Sequence, residues 1–110
     1  INQSAMQKLN KAKKEKKRIV AVGTTVTRAL ESNYSNQAFH AGKFNTSLYI
    51  TPGYKFNASD AMLTNFHLPK SSLLILICAF AGKKITLKAY DTAIQNQFRF
   101  FSFGDAMLIT

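Results

Sequence analysis

The junction Ile19-Val20-Ala21-Val22-Gly23-Thr24-Thr25 constrains the fold more than any other stretch of the chain. Four apolar residues rich in β-branched side chains form a short strand, and a run apolar throughout is expected where a strand is covered on both faces. Upstream, Ile1, Ala5, Leu9 and Ala12 recur every three or four positions among polar residues, which predicts an amphipathic helix reaching about Lys17. Downstream, Thr24 or Thr25 can cap a helix that carries Arg28, Leu30 and Glu31 and ends near Asn33. Helix, strand, tight turn and helix in succession point to an α/β fold, with a parallel or mixed sheet and helices on both faces.

The remaining segments fit that frame. Residues 34–46 lack a period and read as a mobile loop, in which His40 is an exposed side chain without a role. Ser47 to Thr51 is expected as a strand halted by a turn at Pro52-Gly53, and Ala61-Met62-Leu63 as another strand. Ser71 or Ser72 can cap a helix from Leu73 to Ala81, stopped by Gly82; apolar on all sides, that helix should be buried. A second amphipathic pattern spans Thr86 to Phe98, and a last strand runs from about Ala106 to Ile109. Residues 1–110 are expected to form a single α/β domain, since that length suits one hydrophobic core.

Charge narrows the partner. Between Lys8 and Arg18, seven basic side chains face only Glu15, which places six of the ten net positive charges in eleven residues. Such a cluster attracts polyanions through counterion release, with RNA or DNA as leading candidates, although a solvated helix end gives the same pattern. Lys13, Lys14, Lys17 and Arg18 are the residues expected at such an interface. The longest apolar run has nine residues, far short of the roughly 20 a spanning helix needs. No secretory pattern opens the chain, and the single cysteine, Cys78, lies inside that apolar run, so no internal disulfide is possible. A cytoplasmic protein without membrane attachment is expected.

Three segments place polar groups at turns where open α/β sheets bind ligands. Gly23, Thr24, Thr25 and Arg28 offer backbone N–H groups, hydroxyls and a guanidinium suited to a carboxylate or phosphate, though a plain helix start with a surface arginine reads the same way. Asp60, Thr64, Asn65 and His67 bring a carboxylate, a hydroxyl, an amide and an imidazole within eight residues, and histidine is the side chain best suited to proton exchange near neutral pH. A lone histidine bonded to loop backbone is the common alternative. The third segment, Arg99 to Ala106, holds Ser102 and Asp105 among phenylalanines that either stack on a base or belong to the core. One cysteine and two separated histidines make no zinc site, and glycine-rich nucleotide loops are lacking, so no metal is expected.

Taken in order, these segments resemble the C-terminal part of the S-adenosylmethionine:tRNA ribosyltransferase-isomerases. The stretches that carry the resemblance are Ile19 to Glu31, Ile50 to Phe56, Leu63 to Leu74, Ala79 to Gly82 and Phe98 to Ile109. Val26 departs from the serine common at that position, and residues 34–45 match poorly. The resemblance implies the last part of a larger α/β domain, with the family's small β-barrel domain absent from this chain. It implies a tRNA-modifying transferase and isomerase of queuosine biosynthesis, with S-adenosylmethionine as co-substrate rather than cofactor, tRNA as partner and a monomeric full-length enzyme. On that reading His67, Asp60 and Asp105 handle protons, while Gly23, Thr24, Thr25, Arg28, Thr64, Asn65, Arg99 and Ser102 hold substrate. Two other readings stand beside it: a non-catalytic RNA-binding piece, and a structural piece inactive without further chain.

Overall fold

Burial of alternate residues along three short strands organises the protein, whose computed structural model describes residues 1–110. Strand β1 (Val20–Val22) pairs in parallel with β2 (Ala61–Asn65), and β2 pairs antiparallel with β3 (Ala106–Ile109), in the spatial order β1-β2-β3. The expected α/β class and mixed sheet are therefore present. Four helices accompany the strands: α1 (Gln3–Lys14), α2 (Thr24–Asn33), α3 (Ser72–Ala81) and α4 (Lys83–Gln95).

Register sets which residues share a face. Ala21 stands opposite Met62, Met62 opposite Ile109, and Thr64 opposite Met107. This face meets the helices through three apolar clusters: Ala21 with Leu30 of α2 and Leu9 of α1, Met62 with Leu76 of α3, and Met107 with Tyr90 and Ala93 of α4. The opposite face carries Val20, Val22, Leu63 and Leu108 at 49, 62, 37 and 60% exposure. Coverage on both faces, expected from the unbroken apolar run at β1, is not what the chain provides: its helices pack on one side and no element crosses the other.

Local signals explain most element ends. The Asn2 side chain accepts the N–H of Ala5 and caps α1, and Ser71 Oγ accepts the N–H of Leu74 and caps α3. Helix α3 stops at Gly82, whose φ of 93° is open to glycine at little cost. Only Leu76 and Ile77 of α3 are buried, so the helix expected to be enclosed all round is half covered. Helix α2 starts on Gly23 without a side-chain cap; Thr24 and Thr25 lie inside the helix rather than ahead of it.

Two loops differ from expectation. Residues 34–46 are tied down: Asn10 of α1 accepts the N–H of Phe39 and donates to its carbonyl, and the Phe39 ring is buried. Ser47 to Thr51 forms no strand. The segment is held instead by Ile50, buried against Met62 and Leu76, while the turn at Pro52-Gly53 closes through Tyr54 N–H to Thr51 O at 3.0 Å.

Candidate functional site

The carboxyl ends of the two parallel strands define one edge of the molecule. Strand β1 delivers Gly23 there, and the Gly23 N–H donates to Leu63 O at 2.8 Å, stitching the turn to β2. Strand β2 delivers Thr64 and Asn65, and β3 begins at the same edge because Ala106 stands opposite Asn65. The turn before β3 is bonded on: Asn65 Nδ2 donates to Phe101 O at 2.8 Å, and Phe101 N–H donates to Phe66 O at 3.1 Å. The Gly23 turn, the stretch from Thr64 to His67 and the 99–105 turn therefore meet at one edge, joined by hydrogen bonds to β2 or its following turn.

His67 lies in the turn that follows β2 at this edge. Its Nε2 shares a 2.8 Å hydrogen bond with Thr64 Oγ1, and its backbone N–H donates to the phenol oxygen of Tyr90 on α4 at 2.8 Å. Thr64 is buried on the helix-covered face, whereas His67 keeps partial exposure. Burial pushes the imidazole below its ordinary value of 6.5, so at neutral pH it is uncharged and able to accept a proton. Tyr90, missed as a site residue because it reads as one apolar position of an amphipathic helix, is buried at 6% exposure.

Two helices begin at this edge, α2 directly after β1 and α3 just after the His67 turn. Their N-termini add positive potential and favour anions. Arg28 reinforces this from α2: its Nε donates to Leu48 O at 3.1 Å, and its side chain lines a hollow of about 70 Å³ together with Ser72 and Leu73 of α3. Thr24 is buried and Thr25 exposed, so of the two hydroxyl residues Thr25 is the more open to a ligand. Arg99 and Ser102 are exposed on the neighbouring turn.

The carboxylates are placed differently. Asp105 uses Oδ2 to accept the Arg99 N–H at 2.8 Å, with the Arg99 guanidinium 3.6 Å from Oδ1. That backbone bond, and behind it the Arg99 charge, hold the carboxyl below the usual range. Asp105 is thus the clasp of the 99–105 turn. Asp60 is not brought to His67 at all: its Oδ2 accepts the Ile19 N–H at 2.8 Å and lies 3.6 Å from Lys13 Nζ. At roughly 3.3 Å per residue, about 13 Å of strand separates Asp60 from Thr64, at opposite ends of β2.

The basic cluster is also at that far end. Lys13, Lys16, Lys17 and Arg18 surround a hollow with Asp60, and Lys13 and Lys14 line a second with Tyr34, Asn10 and Gln37. Lys13 is half-engaged structurally, its Nζ lying 5.5 Å from the Tyr34 ring centroid, and Lys17 is paired with Glu15. Lys14, Lys16 and Arg18 are exposed and free of ion pairs. No cluster of three or more His, Cys, Asp or Glu side chains occurs, and no helix is long and apolar enough to cross a membrane.

Residues 1–109 match the family described as queuosine biosynthesis protein. An S-adenosylmethionine:tRNA ribosyltransferase-isomerase of Rickettsia bellii is 56% identical over 101 residues, covering 92% of this chain and 29% of that protein. Its counterpart in Rickettsia felis is 54% identical over 101 residues, covering 92% and 28%. The crystal structure of S-adenosylmethionine tRNA ribosyltransferase from Thermotoga maritima superposes with a TM-score of 0.91 at 46% identity, over 100% of this chain and 39% of the other. This chain spans less than a third of the length of the curated relatives it matches.

Proposed function

Because the chain belongs to the queuosine biosynthesis protein family, we propose that it carries part of the catalytic site of an S-adenosylmethionine:tRNA ribosyltransferase-isomerase. The reaction transfers and isomerises the ribosyl group of S-adenosylmethionine onto the aminomethyl group of a 7-deazaguanine at the tRNA wobble position. Adenine and methionine leave, and epoxyqueuosine is formed. S-adenosylmethionine is consumed as a co-substrate, the protein works in the cytoplasm, and the full-length enzyme is a monomer.

The observation that supports this reading is the meeting of Gly23, His67 and the 99–105 turn at one sheet edge beside two helix N-termini. The chemistry needs a base for the proton next to the sulfonium, an acid for departing adenine, and electrostatic support as charge moves. A neutral His67, steadied by Thr64, is the proton-transfer group. Gly23, Thr24, Thr25 and Arg28, at the start of α2, take the methionine carboxylate or a phosphate. Arg99 and Ser102 face substrate from the opposite turn; Asn65 and Asp105 act by holding that turn in place, and Asp60 by holding β1 to α1. At the far end of the sheet Lys14 and Arg18 bind the tRNA backbone away from the reacting nucleotide, while Lys13 and Lys17 are held by Asp60 and Glu15 and shape that basic surface.

The test is mass spectrometry of a full-length protein containing this segment, incubated with S-adenosylmethionine and a tRNA bearing the aminomethyl deazaguanine. Adenine release with a matching mass gain on the tRNA is expected, and His67→Ala should abolish most of it. The basic hollows favour a second reading, a tRNA-binding piece without catalysis. That reading gains if tRNA binds and no adenine appears.

A further inference from the structure

We infer that Tyr90 is a positioning residue for His67, its phenol oxygen fixing the backbone from which the imidazole reaches Thr64. This rests on the reading of His67 as the proton-transfer group. The geometry is specific. Only one hydrogen bond joins α4 to the His67 turn, the 2.8 Å contact from His67 N–H to the Tyr90 oxygen. Residues 66–71 form no regular structure, and Lys70 in this turn holds a φ of 60°. The turn therefore lacks a ladder of its own to fix His67, and the bond to α4 supplies one anchor.

Tyr90 is itself rigid. Its ring meets Phe66 edge-on at 5.2 Å and Phe100 at 6.1 Å, with Ala93 in the same cluster. The stacking registers α4 against both the residue before His67 and Phe100 within the 99–105 turn. Burial raises the phenol above its ordinary value, the bond from His67 N–H opposes this, and Cys78 of α3 adds a further upward push, so Tyr90 stays neutral throughout the working range. A neutral phenol remains a steady acceptor. Two tethers thus define the imidazole, Thr64 at the ring and Tyr90 at the backbone, from two different elements. Misplacement by about 1 Å is enough to cost a catalytic group up to a hundredfold in rate.

Tyr90→Phe separates positioning from packing, since it keeps the ring against Phe66 and Phe100 and removes only the acceptor. In the 110-residue chain, NMR should show the His67 amide losing protection from exchange and its imidazole titrating nearer the ordinary histidine value. Thr64→Val should move the same imidazole titration while leaving the amide protected. In the full-length enzyme Tyr90→Phe should lower kcat by about tenfold with KM for tRNA little changed. An unchanged His67 amide and imidazole in Tyr90→Phe overturns the inference, as does altered exchange spread evenly over α4 without a specific effect at His67. Absence of turnover in the unsubstituted full-length protein counts against the proposed function and leaves the NMR result to decide the role of Tyr90.

Discussion

Glu31 shows how much one side chain can organise. Its Oε1 accepts the N–H groups of Ala58 and Ser59 at 3.1 and 2.9 Å, and its Oε2 accepts that of Asn57 at 2.9 Å. The Tyr54 hydroxyl reaches Oε2 as well, at 3.4 Å. The last turn of α2 thereby holds the loop that feeds β2, and so places Thr64 and His67 at their edge. Ala58 and Ser59 are buried, so Glu31→Ala strands two donors, at about 1–3 kcal/mol each. A loss of about 3 kcal/mol in urea unfolding is expected, with Glu31→Gln losing less because one carbonyl oxygen remains. His67 yields a second expectation. Its folded-state pKa lies below the ordinary 6.5, so the unfolded chain binds more protons between the two values. This contribution to stability is complete above about pH 6.5 and declines as pH falls through that window. In the full-length enzyme the acid limb of kcat should correspondingly fall below 6.5, and His67→Ala should erase the limb along with most turnover. A limb at or above 6.5 would assign proton transfer to another group.

The turn of residues 99–105 is the clearest case at the scale of an element. Arg99 and Asp105 close it from both sides, since Arg99 N–H donates to the Asp105 carboxylate and Asp105 N–H donates to Arg99 O at 2.9 Å. Gly104 permits that closure: a Cβ there would stand 2.0 Å from the Arg99 carbonyl oxygen. Gly104→Ala is therefore expected to open the turn and cost about 2 kcal/mol or more, seen as a lower thermal midpoint and as lost exchange protection at Phe101. Unchanged protection would show that the turn absorbs the methyl group. Phe101, at φ 61° inside the turn, is kept there by bonds to Asn65 and Phe66. Elements written in local signals were legible in the sequence. The Ser71 cap and the Gly82 stop of α3, the turn at Pro52-Gly53 and the whole of β3 each follow from residues within a few positions. What escaped depends on partners far along the chain. Ser47 to Thr51 has strand composition but no ladder, the loop after α2 is pinned by Asn10 some thirty residues earlier, and Asp60 lies close to His67 in sequence but a strand's length away in space. Tyr90 and Glu31 escaped for the same reason, as helix positions whose bonding partners lie 23 or more residues away.

The molecule as a whole is elongated, 43 by 23 by 23 Å, and its two kinds of surface are kept apart. Val20, Val22, Leu63 and Leu108 leave an apolar sheet face uncovered, so the 110-residue chain should self-associate at raised concentration. Val22→Lys should shift its light-scattering mass toward the monomer without lowering its thermal midpoint. The polar surfaces divide along the strands, with His67 and the helix N-termini at one end and the lysine-rich end of α1 at the other. Such a layout suits a large polyanion better than a small one, because a ligand confined to the His67 edge would not reach Lys14 or Arg18. Under the proposed function a tRNA would span both, with its backbone on the lysines and one nucleotide at the imidazole. Phosphate contacts of this sort release counterions, so affinity should fall steeply with salt. Lys14, Lys16 and Arg18 are exposed without ion pairs, whereas Lys13 is committed to Asp60 and Tyr34 and Lys17 to Glu15. Replacing the first three with Gln should weaken tRNA binding and flatten the slope of log affinity against log salt by about one unit each. Lys13→Gln should instead act mainly on stability, and its salt slope should stay closer to that of the unsubstituted protein. Equal slopes for all four variants would mean that the tRNA backbone does not follow this end of the sheet.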